Sequence, residues 1–150
     1  MDLSWLKWPS IILAVVAVVW LLTSPGVNFM YNRFTKAEVG ADAKIDERDE
    51  AGLTRLGNYL MKTLRYGRAE EVIQTAVDRY GTGGKNYWLN VYRLVRLAEK
   101  RGDYERAVEL LDYLIAEDAP GWNLHIPPIE VLQARRDTLV EVHELDKKRR

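Results

Sequence analysis

Cysteine is absent from all 150 residues, which excludes a disulfide framework, a thiolate metal site and a thiol nucleophile. Histidine is nearly absent: His125 and His143 have no partner at the i, i+4 spacing of a helical zinc pair. Net charge is missing as well. Lys plus Arg numbers 22 and so does Asp plus Glu, which removes the bulk positive field that holds nucleic acid. No stretch sustains the period-two alternation of a half-buried strand, so a sheet is not expected. What remains is room for one modest helical domain, with few catalytic residue types and no expected cofactor, metal or small-molecule substrate.

One long apolar run is present. Ile11 to Leu22 reads IILAVVAVVWLL, and weaker apolar character continues through Val27, Phe29, Met30 and Tyr31. Taken from Ser10 to Tyr31 the stretch has 22 residues, enough at about 1.5 Å per residue to cross a hydrocarbon core of about 30 Å. Trp5 and Trp8 precede it and Tyr31 and Phe34 follow, as aromatic rings do at membrane interfaces. The expectation is a transmembrane anchor over residues 1–34, contacting the bilayer through residues 10–31, with a bend near Pro25. A cleaved signal peptide is the alternative, with Ser24 and Gly26 as small residues before Val27; Lys7 opposed by Asp2 makes a weakly charged leader for it. Arg33, Lys36, Lys44 and Arg48 outnumber Lys7 and the terminal amine, which leans the C-terminal domain toward the cytoplasm of a bacterial inner or plasma membrane, the periplasmic or extracytoplasmic side being the alternative.

Residues 35–52 read as an acidic connector, because Glu38, Asp42, Asp46, Glu47, Asp49 and Glu50 face only Lys44 and Arg48 there; such a run is ordinarily a solvated helix face. Apolar positions then recur at helical spacing. Ile45, Leu53, Leu56, Leu60 and Leu64 predict one helix ending at Gly67, followed by helices over 68–80, 86–101 and 103–117. Laying Gly67 on Gly102, a shift of 35 residues, aligns Val72 with Ala107, Ile73 with Val108 and Leu56 with Val91. A period of this size with two helices per unit marks a helical-hairpin solenoid. Over residues 53–119 the chain resembles the tetratricopeptide repeat family: Leu94 stands at its leucine place, Gly102 and Tyr104 at its turn, Ala107 and Leu111 at its small and large second-helix positions, and Pro120 near its closing proline. The first unit keeps Gly67 but departs at Leu60 and Arg79 and lacks a closing proline.

The glycine-rich stretch YGTGGKNYW, residues 80–88, poses the question of a phosphate cradle. A Walker loop needs Gly, four residues and then Gly-Lys-Ser/Thr between a strand and a helix. Arg79 replaces the first glycine, Asn86 follows Lys85, and the preceding segment is helical. The loop therefore reads as a joint between two hairpins. After it, residues 120–150 form a loop that tucks Trp122, Leu124 and Ile126 over the last hairpin, then a capping helix with Val131, Leu132, Leu139 and Val142 inward. His125 reads as an ordinary loop residue. Lys147 to Arg150 form a basic tail that is solvated or touches anionic lipid.

The fold expected is all-α: a transmembrane helix, a small tetratricopeptide-like solenoid and a C-terminal capping helix. Similarity to that family implies a concave surface for a partner's peptide, which by position would present Met61, Leu64 and Arg65 from the first unit and Leu89, Tyr92, Arg96, Glu99 and Lys100 from the second. Arg65, Arg96 and Lys100 beside Tyr92 suit an acidic or carboxylate-terminated segment. The function expected is thus a membrane-anchored adaptor, assembly factor or accessory subunit whose partners are other membrane proteins or their peptide segments. The competing class is an enzyme that uses the glycine loop or the acidic run.

Overall fold

The computed structural model describes residues 4–145, and side chains from Trp8 onward except those at 17, 18, 21 and 22. All regular elements among the described residues are helical. The basic run 147–150 lies outside them.

The apolar run does not form one helix with the residues after it. Helix α1 spans Ser4–Leu22 and helix α2 spans Ser24–Thr35. Thr23 between them is extended, with φ −80° and ψ 173°, and its hydroxyl donates to the Trp20 carbonyl at 2.5 Å. Pro25 sits in the first turn of α2, where its missing N–H leaves no intrahelical bond unmade. The twelve apolar residues of α1 rise about 18 Å against the roughly 30 Å of a hydrocarbon core, and the rest of α1 includes Lys7, Pro9 and two serines. No helix among the described residues is long and apolar enough to cross a membrane. The predicted transmembrane helix, its bilayer contact over residues 10–31 and the single-pass localisation are corrected accordingly.

Helix α2 instead packs on the domain. Val27 is fully buried, in one core with Leu53, Leu56 and Leu60. Polar bonds stitch α2 and the segment after it to the next helices. Arg68 donates to Asn28 at 2.8 Å and stands 4.9 Å from the Tyr31 ring centre. The Tyr31 hydroxyl meets Thr75 at 3.1 Å, and Arg79 donates to the Ala37 carbonyl at 2.6 Å.

Two hairpins follow. Helices α3 (Ala43–Lys62) and α4 (Tyr66–Tyr80) form the first, α5 (Tyr87–Arg101) and α6 (Tyr104–Ala116) the second. Asp42 starts α3 by accepting from Lys44 N at 2.8 Å and Ile45 N at 3.3 Å, the work of an N-cap carboxylate. Gly57 lets α3 approach α4 so closely that a Cβ there would overlap the Ile73 side chain. Helix α5 belongs to two cores: Leu94 and Leu97 face the first hairpin, while Val91, Val95 and Ala98 face α6 with Ala107, Leu111 and Leu114.

The repeat register differs from the one expected. Helix α3 stops at Lys62, well before Gly67, because the chain turns at Leu64: Leu64 N bonds to Met61 O and Arg65 N to Leu60 O. The second hairpin turns with the equivalent bond from Asp103 N to Ala98 O. Leu64 (φ +60°) therefore occupies the place of Gly102 (φ +78°), a shift of 38 rather than 35. In that register Leu53 matches Val91, Leu56 matches Leu94, Leu60 matches Ala98 and Ala69 matches Ala107, and every one of them is buried.

A short turn of helix, α7 (Ala119–Trp122), leads to α8 (Ile129–Val142), which lies on α6. Ile126 and Leu132 are buried as expected, but Trp122, Leu124, Val131 and Val142 are exposed. One row of α8 suffices to cover the open end, since α8 is held otherwise by charge: Arg136 reaches Asp112 at 2.9 Å and Arg135 reaches Glu99.

Candidate partner-binding groove

The eight residues picked from sequence separate into distinct places. Met61, Leu64, Arg96 and Lys100 come together in a groove of about 260 Å³ whose remaining walls are Asn58, Lys62 and Tyr66. Tyr92 and Glu99 lie next to α8, where Arg135 donates to Glu99 Oε1 at 2.6 Å and to the Tyr92 hydroxyl at 3.3 Å. Arg65 points toward α2 and donates to Ser24 at 2.9 Å. Leu89, in the first turn of α5, is half-buried outside the groove lining.

Three groove residues were missed, and the 38-residue register explains two of them. Asn58 and Lys62 are the positions equivalent to Arg96 and Lys100, whereas a shift of 35 selects Met61 and Arg65 instead. A slip of three residues is nearly one helical turn, so the face was found while its members were displaced. Tyr66 had no sequence signal, because it was expected inside a continuous helix.

The charge in the groove is one-sided. Lys62 and Lys100 sit in the last turns of α3 and α5, where the helix dipole favours a cation. Arg96 precedes Lys100 by one turn and shares its face. Lys62, Arg96 and Lys100 have no hydrogen-bonded or ion-paired carboxylate among the described residues, unlike Arg101 and Arg106, which share Glu70, and Arg135, which holds Glu99. The unrelieved charge reaches their neighbour. Arg93, whose guanidinium donates to the Thr54 carbonyl at 3.1 Å, is held below the ordinary arginine value by burial first and by the Arg96 charge second. Arg135 goes the opposite way, raised chiefly by its hydrogen bond to Glu99. Met61 and Tyr66 rest on the first core, and Leu64 stands out from it at 71 % exposure.

The glycine loop has its own occupant. Residues 81–83 make a single 3-10 turn. The N–H groups of Lys85 and Asn86 that follow it donate to the two oxygens of Glu50, at 3.1 and 2.8 Å. Glu50 is 3 % exposed, and Gly84 leaves it space that a Cβ would take. The Lys85 ammonium is turned to Glu47 at 2.6 Å. A buried carboxylate from the acidic stretch thus sits at the N-terminus of α5, where a bound phosphate would have to sit. The acidic run is accordingly more than a solvated face, since Asp49 is also fully buried.

No protein-family model, curated protein or solved structure matches the chain.

Proposed function

We propose that the chain is a protein–protein interaction module, an adaptor, assembly factor or accessory subunit of a larger complex, and that the groove between α3 and α5 holds an acidic segment of its partner. One observation carries this reading: Lys62, Arg96 and Lys100 line one groove with Met61, Leu64 and Tyr66 and have no paired carboxylate among the described residues. Lys62 on α3 and Arg96 and Lys100 on α5 bring three cations to one groove, where like charges repel, and charge-assisted bonds to a partner's carboxylates relieve that repulsion while fixing its register. The two consecutive hairpins support a tetratricopeptide-like mode of holding a peptide. The Glu50 carboxylate at the glycine loop argues against the competing enzyme that would place a nucleotide phosphate there.

The test is affinity capture of the full chain from cells of its host, beside the Arg96→Glu/Lys100→Glu double variant. A stoichiometric partner captured by the parent and lost, with the fold intact by circular dichroism, from the variant is the expected result. A partner held equally by both would remove the groove from the function.

A further inference from the structure

Leu64 is an anomaly of the first hairpin. It stands at φ +60°, in the left-handed region that costs a residue with a Cβ and favours glycine. The second hairpin fills the equivalent turn with Gly102, and both turns close with the same backbone bonds. Packing does not repay the strain, because the Leu64 side chain is 71 % exposed. It lines the same groove as Met61, Tyr66, Arg96 and Lys100. Strain kept at a position that gains nothing from the fold is a mark of function.

We infer that Leu64 is the apolar recognition contact of the groove, and that the segment bound there carries an aliphatic or aromatic side chain within a turn of its carboxylates. This rests on the groove reading given above and specifies its occupant. The cations supply attraction for any acidic stretch, which charge alone does not discriminate. Leu64 supplies the choice among such stretches. Closing a partner's leucine against Leu64, Met61 and Tyr66 removes apolar surface from water on both sides, while an alanine in the same place leaves that surface wet.

The probe is a set of synthetic ten-residue peptides, each with four acidic residues and one leucine at a varied position, matched by peptides with alanine in place of leucine. Binding to the full chain, to Leu64→Asn and to Leu64→Gly is read by fluorescence anisotropy, with Arg96→Glu/Lys100→Glu alongside. Asparagine tolerates the left-handed turn and glycine prefers it, so both variants keep the backbone and lose only the contact.

The best leucine peptide should bind the parent about tenfold more tightly than its alanine match, and the Leu64 variants should narrow that ratio to about twofold, chiefly by weakening the leucine peptide. Leu64→Gly should also raise Tm by about 3 °C through relief of the turn. A ratio unchanged in both variants, or a Tm that falls in both, would make Leu64 an incidental or structural residue and overturn the inference while the groove stands. Acidic peptides that bind no better to the parent than to the Arg96→Glu/Lys100→Glu variant would overturn the groove and this inference together.

Discussion

The two ends of the hairpin pair are closed in different ways. At the first, α2 lays a fully buried Val27 on the α3 and α4 core, and it and the segment after it are tied by hydrogen bonds to neutral acceptors: Ser24, Asn28 and the Ala37 carbonyl each receive an arginine N–H, and Tyr31 meets Thr75. At the second, α8 lays a fully buried Leu132 on the α6 side and is tied by ion pairs, Arg135 to Glu99 and Arg136 to Asp112. Both caps solve the same problem, since a short hairpin stack leaves an apolar face at each end. The lesson is that a cap needs one deep apolar contact plus polar bonds that set its angle, and that the polar part can be charged or neutral.

Emptying the deep contacts separates the caps most strongly. Leu132→Ala should cost about 3 kcal/mol in urea unfolding, and Val27→Ala about 2 kcal/mol, since fewer buried methyl groups are lost at the first end. Equal costs would mean that the surroundings collapse differently around the two sites. A smaller effect tests the polar ties. Arg135→Met should cost about 1 to 2 kcal/mol at low salt and less than half of that at 1 M salt, because the Arg135–Glu99 pair is partly exposed and screened. Arg65→Met, at the first end, should cost only about 0.3 kcal/mol and change little with salt. If salt acts alike on both, charge does not distinguish the caps.

A separate comparison is open in alkali, where the effect falls on the second core. Burial pushes the Tyr87 phenol up to about 12, and its bond to the Tyr113 hydroxyl at 3.1 Å adds to the rise. The folded state therefore prefers the neutral phenol, and its stability is fully present below pH 10 and declines as pH rises from 10 to about 12. Thermal melts at pH 9 and pH 11.5 should show a smaller decline in Tyr87→Phe than in the parent. An identical decline would assign the alkaline loss to other groups.

Much of this architecture was legible because its signals are local. The helical period placed Leu53, Leu56, Leu60, Val72, Ile73, Val91, Leu94 and Leu111 in the core, and Gly102 marked a turn. The groove was half legible, through Met61, Leu64, Arg96 and Lys100. Asn58 and Lys62 were hidden by the choice of Gly67 as the anchor of the repeat, since a glycine at the second residue of a helix looks the same in sequence as one just past a helix end. Tyr92 and Glu99 looked free because nothing near them in sequence announces Arg135, which lies 43 and 36 residues away.

The residue order by itself determined that this chain is helical, where most of its apolar stripes lie, and that its glycine loop is no Walker motif, because helix periodicity, capping and motif spacing act over a few residues. Tertiary structure alone decided that residues 24–35 cap a core instead of extending an apolar span, that Glu50 sits at the glycine loop, that Leu64 takes a glycine's conformation, and that three cations line one groove with no paired carboxylate among the described residues. Each of those depends on which distant segment arrives to bury a side chain or accept a hydrogen bond. A run of apolar residues states only that it must be covered, and the fold chooses by what.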